Sequence, residues 1–167
     1  YAGPRQIIGV SGSSKTTQFD PKSTEKVFRE LLNQLDSKRF MFATGGTDYG
    51  VERILHSLVR EEFRKFRIMG FITSEGRGEE LGTSAVTVAG IDWFGKSVPF
   101  LNAIDFLVTV AGGSVIHQEL LMAHKAGIPL FTIAGSGMKT GEFLKDNPDV
   151  RRYYTAKDIV AAMEGEE

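Results

Sequence analysis

The sequence predicts an α/β fold in which a parallel sheet is covered by helices on both faces. Short apolar segments rich in β-branched residues alternate with segments whose apolar residues recur at helical spacing. The strand segments are apolar along nearly their whole length, which is typical of parallel strands buried on both sides. The chain has 167 residues, so we expect one domain, residues 1–167, with a single core.

The first strand and helix are predicted from the opening segment of the chain. Residues 6–10 are apolar and β-branched and end at a Ser/Gly-rich turn, which predicts a buried strand. Asp20 offers an N-cap, and Pro21 suits the first position of a helix. The apolar residues of 27–35 then follow one helix face, so this segment predicts an amphipathic helix.

The middle of the chain predicts three strands and one helix. Residues 40–43 form a short apolar strand segment that ends at a Gly-rich turn, and the apolar spacing of residues 51–59 predicts a helix. Residues 67–72 predict a third strand. After a loop rich in Gly and Glu, residues 85–88 predict a weaker strand.

The last third of the chain predicts two further strands and two helices. Residues 105–110 form a strongly apolar strand segment, and the helical pattern of residues 115–126 stops at Gly127, a residue suited to the position after a helix end. Residues 128–133 predict the last strand, and residues 159–163 predict a short final helix for which Thr155 and Asp158 resemble a capping box. The alternation of strand and helix thus continues to the end of the chain.

Glycines are concentrated at the ends of the predicted strands. The chain has 19 glycines, about 11% of its residues against a typical ~7%. Parallel strands end at one edge of a sheet, where such folds bind ligands and where backbone N–H groups can hold a phosphate. The candidate ligand-binding residues at these strand ends are Gly12, Ser13, Ser14, Lys15, Gly45, Gly46, Thr47, Gly112, Gly113, Ser114, Gly135, Ser136 and Gly137.

The composition excludes several classes of protein. The 20 basic and 21 acidic residues give a net charge of −1, which argues against nucleic-acid binding by bulk electrostatics. The chain has no cysteine, which rules out disulfides and a thiolate metal site. No apolar run approaches the roughly 20 residues of a membrane helix. No signal peptide is visible either, so we expect a cytoplasmic protein that does not contact membranes.

We expect no metal and no cofactor. The three histidines, His56, His117 and His124, fall on predicted helices with no carboxylate cluster nearby. Structural or surface roles are therefore expected for them. Trp93 is a candidate for stacking on a base, with hydrophobic packing or a subunit contact as the alternatives.

The loop after the first strand, residues 9–16, nearly matches the phosphate-binding pattern GxxxxGK[ST]. Ser14 stands where that pattern has its second glycine, whose backbone freedom lets the loop wrap phosphates. The dinucleotide-binding pattern GxGxxG is absent as well. The loop therefore predicts a simpler contact with a phosphate or ribose through Ser13, Ser14 and Lys15. The alternative is an ordinary strand-to-helix turn.

Taken together and in this order, the Gly-rich loops resemble those of the SLOG superfamily over residues 7–137. Its members include the Lonely Guy phosphoribohydrolases, DNA-processing protein A and the N-terminal region of melastatin-type TRP channels. The Lonely Guy turn GSS is matched at residues 12–14, and the segment YGGGxxGLMG is matched loosely at residues 44–50. The signature PGGxGTxxE aligns with residues 111–119, where both leading glycines and Glu119 are kept. The resemblance implies a Rossmann-like fold of SLOG type.

The resemblance implies two alternative activities at the same crevice. In a hydrolase, Glu119 would stabilise the oxocarbenium-like transition state or activate water during cleavage of an N-glycosidic bond. Lys96, which takes the place of an arginine of those enzymes, would hold the phosphate or aid the leaving base. However, Val115 and Ile116 replace the Gly-Thr pair of the signature, and no second acid or histidine is apparent near Glu119.

A sensor is the function we expect first. In the sensor members of the superfamily, the resemblance implies that the Gly-rich loops hold the phosphates and ribose of a nucleotide or nucleotide-sugar, such as an ADP-ribose species. Glu119 would then form hydrogen bonds with the ribose hydroxyls. The hydrolase is the alternative, and a structural domain with an inactive crevice is the third possibility. The resemblance also implies a homodimer or higher oligomer, with the apolar face of residues 115–122 as a candidate interface. Because the chain begins at Tyr1, we expect a segment of a longer protein with an attached effector domain.

Overall fold

Strands and helices alternate in the part of the chain that the computed structural model describes, residues 5–74, 85–88, 92, 94–133 and 139–165. In chain order, the strands are β1 (Gln6–Gly12), β2 (Phe40–Thr44), β3 (Ile68–Ile72), β4 (Ala85–Val88), β5 (Phe106–Val110), β6 (Leu130–Ile133) and β7 (Arg152–Tyr153). The helices are α1 (Pro21–Gln34), α2 (Gly50–Glu61), α3 (Ser97–Asn102), α4 (Ser114–Lys125), α5 (Lys139–Asp146) and α6 (Ala156–Glu164). A short 3-10 turn covers Thr16–Gln18.

The described strands form one parallel sheet in the order β4-β3-β2-β1-β5-β6-β7. The chain builds the sheet outward from β1 to β4 and then returns to the other side of β1 with β5. The strand order therefore reverses between β1 and β5, where Gly12 pairs with Val110. Sheets of this kind bind ligands outside the carboxyl ends of the strands at such a reversal.

Helices pack on both faces of the sheet, which confirms the predicted fold class. On one face, Ile8 of β1 belongs to a buried cluster with Phe28 of α1 and Leu55 of α2. On the other face, Leu107 of β5 packs in a second cluster with Phe100 of α3. Because both faces are covered, the central strands are apolar at successive positions rather than at alternate ones.

Helix ends follow the signals seen in the sequence. The Asp20 carboxylate accepts a hydrogen bond from the Lys22 N–H at 3.0 Å and caps α1. The Thr155 hydroxyl oxygen likewise accepts from the Asp158 N–H at 3.1 Å at the start of α6. Gly127 follows the end of α4 with a φ of 71°, the left-handed conformation that glycine adopts at low cost.

The helices α3 and α5 and the strand β7 were not predicted. The helix α3 has 6 residues and carries Pro99, which is tolerated there because it lies in the first turn. The strand β7 has 2 residues. Segments this short show no clear helical or strand period, so tertiary contacts decide their conformation. Of the three, α3 matters most for the site, because Lys96 precedes it and Ser97 begins it.

Candidate functional site

A cavity of about 350 Å³ opens at the carboxyl end of β1, where the strand order reverses. Its walls come from the loop after β1, the loop between β2 and α2, the start of α3 and the first turns of α4. The described residues that line it are Ser11, Gly12, Ser13, Ser14, Lys15, Gln18, Thr47, Tyr49, Glu52, Lys96, Gly113, Ser114, Val115, Ile116 and Glu119.

Most of the residues that the sequence suggested come together at this cavity. Among the predicted residues, those that line it are Gly12, Ser13, Ser14, Lys15, Thr47, Lys96, Gly113, Ser114 and Glu119. The predicted glycines that are not among the lining residues are Gly45, Gly46 and Gly112. The predicted residues Gly135, Ser136 and Gly137, and the stacking candidate Trp93, lie outside the described residues.

The loop after β1 is held in place by its own hydrogen bonds. The Ser13 carbonyl accepts from the Val51 N–H at 3.0 Å, and the Ser13 N–H donates to the Val110 carbonyl at 3.1 Å. The Ser13 hydroxyl bonds the Gln18 side chain and accepts from the Lys15 N–H at 3.1 Å. Ser13 therefore shapes the loop, whereas Ser14 and Lys15 are the exposed residues available to a ligand.

The first turn of α4 opens on the cavity. Gly113 is the N-cap, and no side chain caps the helix there. The first N–H groups of an α-helix have no acceptor within the helix, and the helix dipole makes this end partially positive. The preceding Ala111 has a φ of 52°, an uncommon conformation for a residue with a side chain. Such strain is concentrated at functional sites, and here it directs the chain into the helix at the cavity wall.

Glu119 lies at the inner wall of the cavity and is 1% exposed. Its two carboxylate oxygens accept hydrogen bonds from the hydroxyls of Ser11 at 2.5 Å and Ser97 at 2.9 Å. Burial raises the pKa of Glu119, against the lowering effects of the neighbouring Lys96 charge and the two hydroxyls. Glu119 thus connects β1, α3 and α4 around the cavity.

A second buried carboxylate, Glu52, faces the same cavity, so the expectation that no second acid lies near Glu119 is wrong. Glu52 is 8% exposed and accepts from the Gly45 N–H at 3.0 Å and from Thr47 through its N–H at 3.2 Å and its hydroxyl at 3.0 Å. The sequence does carry a signal for this role. An acidic residue in the first turn of a helix often turns back to bond the N–H groups that precede it.

Gly45 leaves room for this buried polar cluster. A Cβ at Gly45 would lie 2.4 Å from the Lys96 Nζ and 2.6 Å from the Glu52 Oε1. Lys96 is itself only 8% exposed. The sequence suggested Gly45 as a ligand-binding residue, but the atoms that approach Gly45 belong to Lys96 and Glu52. Lys96 and Glu52 line the cavity, whereas Gly45 lies behind them and gives their side chains the space they occupy.

His56 is a structural residue beneath the loop between β2 and α2. It is buried, and its Nε2 lies 2.9 Å from the Thr44 hydroxyl at the end of β2. Burial, with a smaller contribution from the Arg60 charge, lowers the pKa of His56 to about 4. The ring is therefore neutral at pH 7, in agreement with the structural role expected from the sequence.

Acid should destabilise the protein through His56. Because the pKa is about 4 in the folded chain and 6.5 in the unfolded chain, the unfolded state takes up the proton first as the pH falls. Between about pH 7 and about pH 4.5, His56 should remove about 2–3 kcal/mol from the free energy of unfolding. Urea unfolding at both pH values measures this loss of unfolding free energy in the wild type and in His56→Gln. The glutamine keeps a polar group near Thr44. An equal loss in both proteins would contradict the assignment.

The described ranges contain neither a cluster of metal ligands nor a membrane-spanning helix. No group of three or more His, Cys, Asp or Glu residues there is arranged to hold a metal ion. No helix in the same residues is long and apolar enough to cross a membrane.

The fold closely resembles solved structures along nearly the whole chain. The protein TM1055 matches with a TM-score of 0.79 and 22% identity, over 96% of this chain and 99% of that chain. The molybdenum cofactor binding protein from Rippkaea orientalis matches with a TM-score of 0.79 and 16% identity, over 98% of both chains. DNA processing protein A from Helicobacter pylori, a single-stranded DNA binding protein, matches with a TM-score of 0.68 and 11% identity, over 99% of this chain and 83% of that chain.

These structural matches confirm the predicted α/β, Rossmann-like fold along nearly the whole chain. No protein-family model matches the sequence, and no curated protein does so either. At identities of 11–22%, the likeness is one of fold.

Proposed function

We propose that the cavity binds a nucleotide or nucleotide-sugar through its phosphate groups and does not cleave it. The observation that carries this proposal is the uncapped first turn of α4, which opens on the cavity together with Lys15 and Lys96. N–H groups at a helix N-terminus and nearby lysines are the partners that phosphates commonly find in proteins. Sensing of the bound ligand, passed to an attached effector domain, is the function we propose for the binding.

The cavity offers several polar groups to the phosphate and the sugar of a ligand. Ser14, Lys15 and Ser114 are exposed and line the cavity, and we assign them to the phosphate. Thr47 and Gln18 add polar groups on the same surface. The net charge of −1 does not oppose anion binding, because the positive potential comes from local N–H groups and lysines.

The carboxylates support binding rather than hydrolysis. Both oxygens of Glu119 already accept from serine hydroxyls, and those of Glu52 accept from the loop between β2 and α2. Each oxygen of Glu119 therefore has a lone pair engaged in joining β1, α3 and α4, which favours a supporting role for this carboxylate. Val115 and Ile116 also line the cavity where the hydrolase signature has Gly and Thr, so the hydroxyl of that signature is absent.

A second candidate ligand is the molybdenum cofactor, which is also a phosphorylated heterocycle. The favouring observation is that the molybdenum cofactor binding protein from Rippkaea orientalis matches this chain from end to end. The same phosphate-binding groups would serve both ligands, so competition between them is a direct test. A homodimer or higher oligomer through α4, where Leu121 is 36% exposed, is a further part of the proposal.

Removing the Lys15 charge should weaken binding of a phosphorylated ligand. Isothermal titration with AMP and with ADP-ribose should show about a tenfold loss of affinity for Lys15→Ala, because an exposed lysine loses its phosphate contact. Lys26→Ala is the matched control, since Lys26 is exposed on α1 and does not line the cavity. Equal affinities in all three proteins would contradict the proposed phosphate position.

The alternative activities give different results. Release of free base from AMP by the wild type, abolished in Glu119→Gln, would identify a phosphoribohydrolase and overturn binding without cleavage. Thermal stabilisation by AMP or ADP-ribose with no product supports the proposal. No stabilisation by AMP, ADP-ribose or the molybdenum cofactor would indicate a structural domain with an inactive crevice.

A further inference from the structure

We infer that Tyr49 is the surface on which a planar ring of the ligand stacks. The ligand is then a phosphorylated heterocycle, such as a nucleotide, and not a simple sugar phosphate. This inference rests on the proposed function, because it names the residue that binds the ring of the same phosphorylated ligand.

The cavity has a polar part and an apolar part. Most of the described lining residues carry hydroxyl, amide or charged groups or are glycines. The apolar side chains among them are Tyr49, Val115 and Ile116. A sugar phosphate would use only the polar part, whereas a nucleotide has an apolar ring face that needs such a surface.

Tyr49 is the aromatic residue on this surface within the described part of the chain. It precedes α2 as the N-cap residue, with an extended backbone and no side-chain cap bond to the helix. It is 36% exposed, although large aromatic residues usually bury more of their surface. The other large apolar residues that are at least as exposed in the described part of the chain are Phe94, Val98, Leu121 and Tyr154, and none of these lines the cavity.

The position of Tyr49 suits recognition of a ring next to a bound phosphate. The loop between β2 and α2 is fixed on its inner side, because Thr47 donates two hydrogen bonds to Glu52. Tyr49 follows two residues later, at the point where the chain enters α2. A tyrosine on a fixed loop loses little conformational freedom when it stacks on a base.

The experiment compares two probes that differ only in the ring. AMP and ribose 5-phosphate are titrated calorimetrically into the wild type, Tyr49→Phe, Tyr49→Leu and Tyr49→Ala. Tyr49→Ala should bind AMP about tenfold more weakly and bind ribose 5-phosphate unchanged. Tyr49→Phe should bind AMP like the wild type, and Tyr49→Leu should lie between them because it keeps apolar bulk without the ring.

The outcomes separate this inference from the proposed function. Equal weakening of both probes in Tyr49→Ala would show that the residue acts through the shape of the loop, and it would overturn stacking. AMP affinity that is unchanged in both Tyr49→Ala and Tyr49→Leu would overturn it as well. Wild type that binds neither of these probes, nor ADP-ribose, nor the molybdenum cofactor would overturn the proposed function itself, and the stacking inference with it. If Tyr49→Ala does not fold, Tyr49→Leu serves as the test: stacking predicts weaker binding of AMP and unchanged binding of ribose 5-phosphate in this variant.

Discussion

Replacing Gly50 with alanine is expected to lower the free energy of unfolding by about 4 kcal/mol or more and to abolish ligand binding. Gly50 has a φ of 60°, and a Cβ there would lie 1.9 Å from the Ser13 carbonyl oxygen and 2.5 Å from the Ser14 Cα. Both neighbours are backbone atoms, so rotation of a side chain cannot relieve the overlap. The left-handed conformation adds a further cost for any residue other than glycine.

The effect reaches the cavity because Gly50 joins two of its loops. The Val51 N–H donates to the Ser13 carbonyl at 3.0 Å, immediately beside the predicted overlap. A methyl group at residue 50 must therefore push the loop after β1 away from the start of α2. Ser14 and Lys15 would then no longer line the cavity together with the first turn of α4.

Thermal unfolding measures the effect of Gly50→Ala, with an expected fall in the melting temperature of about 12 °C or more. The matched control is Gly141→Ala. Gly141 lies in α5, and a Cβ there would meet nothing within 4 Å. Alanine at this helical position should raise stability by about 0.5–1 kcal/mol. A melting temperature for Gly50→Ala within a degree or two of the wild type would contradict the overlap.

The fold was predictable because its signals are local. Continuous apolar strand segments indicated that both faces of the sheet are buried, and the helical spacing of apolar residues indicated the helices that cover them. Capping residues such as Asp20 indicated where helices begin. The helix α3 could not be predicted in this way, because a segment of 6 residues that contains Pro99 is too short to show the helical spacing of apolar residues. The strand β7 is shorter still, and its pairing with β6 is decided by the sheet it joins.

The location of the cavity was predictable from the sequence, and the contacts around it were predictable only in part. Glycines after the strands marked the edge where the cavity lies, because parallel strands end together. The role of Gly45 was hidden, since the atoms that crowd it come from Glu52 and from Lys96, 51 residues further along the chain. The bond from Ser97 to Glu119 was hidden for the same reason, because it depends on where an unpredicted helix packs. Contacts between distant segments leave no period in a single sequence.

Replacing Glu52 with alanine is expected to destabilise the protein by about 3–5 kcal/mol, because a buried charge is removed from its partners. The Gly45 and Thr47 N–H groups, both buried, would lose the carboxylate that accepts from them. The buried Lys96 ammonium beside Gly45 would lose a nearby opposite charge. The melting temperature should fall by about 10 °C.

Two further variants identify the cause of that loss. Glu61→Ala removes an exposed carboxylate from the same helix and should change stability by less than about 0.5 kcal/mol. Glu52→Gln keeps the size of the side chain but presents an amide NH2 where one oxygen now accepts, so it cannot serve Gly45 and Thr47 at once. It should therefore lose stability between the two alanine variants. Glu52→Gln with wild-type stability would show that packing, and not the acceptor pair, is what Glu52 supplies to the loop.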